Sequence, residues 1–301
     1  MVKSTWLREG LGEESFFARA HPAVNLCYFT AVIGVSMFSN HPAFLVLSLV
    51  TAFFYSLLLG GWKSARLNLL LLIPTVLIMT LFNVLSVHNG VTVLFYVNGN
   101  RITREALLSG LSSGLLLGAV VIWFRCFSVI ITAEKLIYLF GRPAPMLALT
   151  LSMILRYIPL LLDRFRQIDA AQRCMGRSIR RGGLIKRFRQ FGKELSILIS
   201  WSLEASIESA DSMEARGYGL RRRTSFHLYR FTRAEGLLLL ALLVPAALAL
   251  LAVFMGRTSI YYYPAIVIKP PDAVQIFGFV GFAAAALLPP ALDIREVRRW
   301  P

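Results

Sequence analysis

Arg216 is followed at once by Gly217 in the run Asp211-Ser212-Met213-Glu214-Ala215-Arg216-Gly217-Tyr218-Gly219, and that pairing has chemical content. Good helix formers lead into Gly, the residue best suited to the left-handed conformation just beyond a helix C-terminus. Arg216 then sits on the last turn, where the helix dipole favours a cation. Its five fixed donors suit recognition of a carboxylate in a cleft on a partner. No enzyme signature accompanies it. The four His (His21, His41, His88 and His227) are scattered, so neither a metal cluster nor a His-based triad follows, and His41 and His88 read as loop residues. Gly60-Gly61-Trp62-Lys63-Ser64 lacks the spaced glycines of a phosphate-binding loop and reads as a short turn. Cys27, Cys126 and Cys174 form neither a metal spacing nor a disulfide set. No cofactor is implied.

The elements that position Arg216 must be built from an unusually apolar chain. Of 301 residues 56% are hydrophobic and only 16% charged, against about 25% charged in soluble domains, and the mean hydropathy is +0.64. A hydrocarbon core needs roughly 20 apolar helical residues per crossing. Six nearly uncharged runs come close to that length: Pro22 to Phe38, Pro42 to Leu59, Leu67 to Ser86, Ala106 to Phe124, Gly236 to Met255 and Ala273 to Leu292. A charged amphipathic stretch precedes the first run and a second span follows it at once, so the N-terminus is expected to be retained rather than cleaved. With both termini in the cytoplasm, only Arg101, Arg104, Arg257 and Lys269 of the 32 Lys and Arg lie outside, the bias that cytoplasmic loops show. The expected fold is an all-α polytopic membrane protein with about six transmembrane helices plus two long cytoplasmic or interfacial helices, multi-pass in the cell (inner or plasma) membrane. Three segments follow: 1–124 with four membrane helices, 125–235 in the cytoplasm, and 236–301 with two membrane helices. The outside loop 87–103, with Asn98-Gly99-Asn100, reads as a hairpin, a re-entrant cap or a plain surface loop, and no role is assigned to it.

The cytoplasmic segment does not read as a globular domain. Phe127 to Gly141 carries Glu134 and Lys135 at its middle and suits an interfacial helix. Met146 to Leu162 is apolar but interrupted by Arg156 and Pro159, and charges dominate from there to Arg181. A second long helix is expected from about Leu184 to Arg216. Ile185, Phe188, Leu195, Ile199, Leu203, Ile207, Ala210 and Met213 form its apolar stripe, read equally as a core face or as a face for a partner. Ser202, Ser206, Ser209 and Ala210 are small enough to let another helix approach closely. Glu204, Glu208 and Asp211 form an acidic edge.

Several spans, two amphipathic helices between them and Met213-Glu214-Ala215-Arg216-Gly217-Tyr218 at the end of the second resemble the transmembrane T component of energy-coupling factor transporters, the vitamin and metal-ion importers that include the cobalt-transport T protein. The likeness covers most of the chain and is sharpest from about Leu149 to Arg233. It implies two coupling helices, each ending in an Ala-Arg-Gly motif that docks on one of two ATP-binding cassette ATPases, and a separate substrate-binding S component cradled by the helices. It carries Glu214, Ala215, Arg216 and Gly217 onto the second ATPase-docking motif, and Ser202, Ser206, Ser209 and Ala210 onto the S-component contact. The first motif departs from the pattern, with Cys174 in the place of Ala and Met175 in the place of Arg, before Gly176. Arg173 lies two residues away, about 200° around a helix, while Arg177 follows the Gly, and Met175 suits an apolar pocket. The partners implied are two ATPases, an S component and the lipid bilayer, with ATP hydrolysed by the ATPases. The S component selects the cargo.

Two other functions fit less well. The spans lack mid-membrane Asp, Glu, Lys or Arg, which a secondary transporter coupled to protons or ions normally keeps. A membrane-anchored RNA-binding protein using Arg180-Arg181, Lys186-Arg187-Phe188-Arg189 and Arg221-Arg222-Arg223 lacks the aromatic-interleaved motif expected of one. Anionic lipid headgroups account for those patches, so no nucleic acid is expected.

Overall fold

His21-Pro22-Ala23 and His41-Pro42-Ala43 start two helices by the same device. Pro occupies the first turn, where its missing N–H costs nothing, and the imidazole Nδ1 accepts the N–H of Ala23 or Ala43, each at 3.2 Å. The computed structural model describes residues 11–12, 15–87, 90–97, 100–141, 143–177, 183–218, 229, 231–256, 258, 260–262 and 272–299. In order they form α1 (Phe16–Arg19), α2 (Pro22–Phe38), α3 (Pro42–Ser86), β1 (Val93–Val97), β2 (Asn100–Thr103), α4 (Arg104–Ile130), α5 (Ala133–Gly141), α6 (Pro145–Cys174), α7 (Leu184–Ala215), α8 (Arg233–Phe254) and α9 (Ala273–Arg299). His88, the Asn98-Gly99 turn, Arg180-Arg181, Arg221-Arg222-Arg223 and His227 lie outside the described residues.

The chain divides into two compact units. One comprises Met1–Leu136 with Tyr229–Pro301, the other Ile137–Leu228. Trp123 sits at the centre of the first, with the rings of Tyr28, Phe29 and Tyr55 at 6.2, 6.4 and 6.4 Å and its Nε1 donating to Ser48 Oγ at 3.1 Å. The apolar residues Leu70, Phe82, Leu237 and Phe277 are exposed instead, as suits helices whose solvent is hydrocarbon.

The expected turn between the second and third spans is a reversal at one residue. Gly61 has φ 61° and ψ −161° inside α3, and helix resumes at once on either side. Asn68 Nδ2 donates to Ser56 Oγ at 2.8 Å, although the two residues would be about 18 Å apart along a straight helix. Arg125 closes the turn from α4, donating to Asn68 Oδ1 and to Ser64 Oγ. With these acceptors its charge does not end the fourth span, and α4 continues to Ile130. Phe127 to Gly141 is therefore not one interfacial helix: its first turn belongs to α4, and only Ala133–Gly141 is separate. α4 approaches α3 through Gly110, Gly114 and Gly118, one turn apart. A Cβ at Gly110 or Gly114 would lie 2.9 Å from the Cα of Thr80 or Val76, so only Gly permits this spacing.

Among the described residues five helices are long and apolar enough to cross a membrane: α3, α4, α6, α8 and α9; α2, with 17 residues, is shorter. α6 joins that set against expectation. Pro159 does not break it, and its first 18 residues carry a single charge, Arg156. Beyond the far end of α3, β1 and β2 pair antiparallel, with Tyr96 opposite Arg101 and an irregularity between Val93 and Phe95. Glu105 Oε1 fastens the base of this pair, accepting from the Thr92 N–H at 3.2 Å and hydroxyl at 2.7 Å.

Candidate functional site: two helix tips with the same cap

α7 and α6 end in the same backbone shape. At the end of α7, Arg216 has φ −83° and ψ 9° and Gly217 has φ 76°. The Gly217 N–H donates to Glu214 O at 2.9 Å and the Tyr218 N–H to Met213 O at 3.0 Å. These two bonds, from C′ to C2 and from C″ to C3, define a Schellman cap. At the end of α6, Met175 has φ −84° and ψ 10° and Gly176 has φ 75°. The Gly176 N–H donates to Arg173 O and the Arg177 N–H to Gln172 O, both at 2.9 Å. Residue by residue, Cys174, Met175 and Gly176 occupy the places of Ala215, Arg216 and Gly217. The altered first motif keeps the backbone knuckle and changes only the side chain it presents. A left-handed Gly with the same first bond, from the Gly256 N–H to Val253 O at 2.9 Å, also ends α8, so the side chains carry the distinction.

Those side chains face outward. Glu214, Ala215, Arg216, Arg173, Gly176 and Arg177 are exposed, and Met175 is 59% exposed. Arg173 is engaged on its own helix, with Nε 3.1 Å from Asp169 Oδ1 and a second contact to Oδ2. Its guanidinium is thus held back along α6, which leaves Met175 at the tip with Arg177 beyond it.

α6 and α7 form an antiparallel pair. Gln172 Oε1 accepts from Gln190 Nε2 at 3.3 Å, the rings of Phe165 and Phe191 meet at 5.9 Å, and the Arg164 guanidinium lies 4.6 Å over the Trp201 ring. Glu194, fully buried, accepts from Gln190 at 3.1 Å. Arg216 lies fifteen residues past Trp201 in α7, roughly 22 Å of helix, whereas Met175 is beside the start of the pair. The two tips are therefore far apart.

The apolar stripe of α7 is not a core face. Ile185, Phe188 and Ile207 are 87%, 79% and 65% exposed, and Leu195, Ile199 and Leu203 are exposed as well. Ser202 and Ser209 are half-buried; Ser206 and Ala210 are exposed. The hydroxyls of Ser202 and Ser206 turn back onto the helix, donating to Ile199 O and Ser202 O, so this face presents little polarity to a neighbour. Sequence reasoning overlooked Gln172, Gln190 and Glu194, which hold the pair together. Nothing in their spacing sets them apart from surface residues.

Residues 13–227 match the cobalt transport protein family, CbiQ. Among its relatives, the energy-coupling factor transporter transmembrane protein EcfT of Bacillus selenitireducens is 26% identical over 263 residues, covering 81% of this chain and 95% of that protein. The protein of the same name from Streptococcus thermophilus is 28% identical over 253 residues, 76% of this chain and 91% of its own. The EcfT of Lactobacillus helveticus is more similar over a shorter stretch, 35% over 102 residues, which is 34% of this chain and 37% of that protein.

Proposed function

The chain belongs to the cobalt transport protein family, a multi-pass membrane protein of transport, and on that premise we propose that it is the transmembrane coupling subunit of an energy-coupling factor importer. It catalyses no reaction itself. Two partner ATPases hydrolyse ATP, and one docks at each of the tips Cys174-Met175-Gly176-Arg177 and Glu214-Ala215-Arg216-Gly217, with Arg173 beside the first. An S component that binds a vitamin or metal ion lies against the α7 face that includes Ser202, Ser206, Ser209 and Ala210. The protein lies in the cell membrane with both termini in the cytoplasm; the membrane segments proposed as 1–124 and 236–301 flank a cytoplasmic coupling region proposed as 125–235, whose start the fold moves past Ile130, where α4 ends, and whose two tips face the cytoplasm.

One observation carries this reading: a single helix, α7, combines an apolar stripe that is exposed among the described residues with an exposed guanidinium on a rigid cap at its end. Exposed apolar surface of that extent marks an interaction site. A capped helix is stiff, so a push at Arg216 is delivered along α7 to whatever covers the stripe. A push of this kind shifts the S component only if its contacts differ between nucleotide states, and closure of the ATPases, which moves the tips relative to one another, supplies that difference. Met175 at the first tip enters an apolar pocket where Arg216 meets a carboxylate at the second.

The test is co-purification in mild detergent. Two ATPase chains are expected to remain with the protein through nuclease treatment and moderate salt. Recovery of the chain alone, or loss of its partners to nuclease, contradicts the proposal.

A further inference from the structure

Residues 15–21 are held by charged side chains from three different helices, and this is expensive. N-terminal segments usually fray unless something ties them down, and burying an ammonium or a carboxylate costs several kcal/mol unless it is hydrogen-bonded. Here Lys135, 7% exposed, donates through Nζ to Ala18 O at 2.6 Å and to Ile130 O at 2.5 Å. Asp293, 1% exposed, accepts the Phe17 N–H at 2.9 Å. Glu235 accepts the His21 N–H at 3.0 Å through Oε1, while its Oε2 accepts from Thr232 N at 2.7 Å in the capping box that starts α8. The His21 ring stacks edge-on against Tyr229 at 6.3 Å and Phe231 at 5.4 Å.

These contacts converge on one place in the chain's course. The membrane unit ends at Leu136, next to Lys135, and resumes at Tyr229, against His21. The segment 15–21 thus holds the chain that precedes the Ile137–Leu228 unit through Lys135 and the chain that follows it through Glu235, Tyr229 and Phe231, and is itself tied to α9 through Asp293. A lever moves its load only if its roots do not slide. We infer that Ser15–His21 is a clasp that gives the coupling helices a fixed fulcrum, with Lys135, Glu235, Asp293 and His21 as positioning residues for energy transfer. The inference rests on the coupling reading above. It adds that transmission fails when the roots are loosened, even with both tips docked.

Hydrogen exchange on the assembled transporter in lipid nanodiscs, with and without magnesium ATP and vanadate, tests this without knowledge of the cargo. In the parent, nucleotide is expected to change the exchange of α8 and α9. Lys135→Met is expected to shrink that change about threefold or more while ATPase co-purification stays at the parent level, and Lys135→Arg restores it. His21→Asn keeps the amide donor and a capping oxygen but removes the ring contacts. It serves where Lys135→Met does not fold, with a change of the same direction expected. Parental nucleotide responses in both folded variants, or no response in α8 and α9 of the parent, overturn the clasp. Absence of the ATPases from the parent preparation instead overturns the coupling reading, and protection of the Phe17 and His21 amides then still reports whether the segment is gripped.

Discussion

At Gly217 and Gly176 the left-handed backbone, φ 76° and 75°, costs a residue with a Cβ about 1–2 kcal/mol. Gly217→Val is therefore expected to unwind the last turn of α7 and redirect Arg216. The measurable result is weaker ATPase retention with no change in the melting of the membrane unit. Retention at the parental level would show that docking does not depend on the cap. At His41, burial holds the imidazole pKa below its ordinary value, and Nδ1 must be unprotonated to accept the Ala43 N–H. The unfolded chain therefore binds the proton first as pH falls through about 6.5, so this cap's contribution is complete above that pH and is lost below it. His41→Asn retains a capping oxygen without the titration. Relative to the parent, its melting temperature should rise as the pH is lowered from about 7.5 to about 5.5; a constant difference would contradict the role given to Nδ1. The repeated His-Pro-Ala is visible in the sequence, but His is an unusual helix cap, and the sequence alone suggests no more than a loop residue at His41.

Among the elements, the glycines of α4 make the firmest stability prediction. Gly114→Leu must force α4 away from Val76, overpacking that costs about 1–3 kcal/mol, so the detergent-solubilised protein should melt earlier than the parent; an unchanged melting point would mean that α3 yields freely. The two tips predict an asymmetry. On the proposed docking, Met175→Ala would remove only dispersion contacts, whereas Arg216→Ala would leave a partner carboxylate unpaired, so assembly should weaken less in the first variant. Equal losses would contradict distinct docking chemistries. α7 was legible almost to the residue, expected from Leu184 to Arg216 and found as Leu184–Ala215, because a periodic stripe runs straight into a Gly. α6 was less legible: Arg156 and Pro159 read as interruptions, yet a Pro inside a long helix removes one backbone bond that the rest of the helix tolerates. The glycine ladder at 110, 114 and 118 has a spacing any sequence displays, but which helix it meets depends on the reversal at Gly61. Glu194 was illegible, since burial of a carboxylate between two helices is set by their crossing and not by local pattern.

For the molecule as a whole, the sidedness proposed for the Ile137–Leu228 unit can be read from a native reporter. Cys174 is exposed beside the first tip, Cys126 is buried and Cys27 is half-buried. A membrane-impermeant maleimide should label Cys174 in inside-out vesicles and not in intact cells, and bound ATPases should slow that labelling; labelling from the cell exterior would invert the topology. Apolar spans, the abundance of cationic residues and the motif ending at Gly217 point, without any contact, to a membrane transport protein of this family. The grip on residues 15–21 could not be read in advance, because Lys135, Glu235 and Asp293 are distant in sequence and meet only through the fold. The account's central claim is that Arg216 at the end of α7 receives the push of a docked ATPase. Its most direct test is Arg216→Glu, measured as ATPase recovered per chain after purification from membranes that contain parental amounts of the protein. The account predicts that one ATPase is lost while insertion is normal, and full recovery of both ATPases with the charge reversed would contradict it.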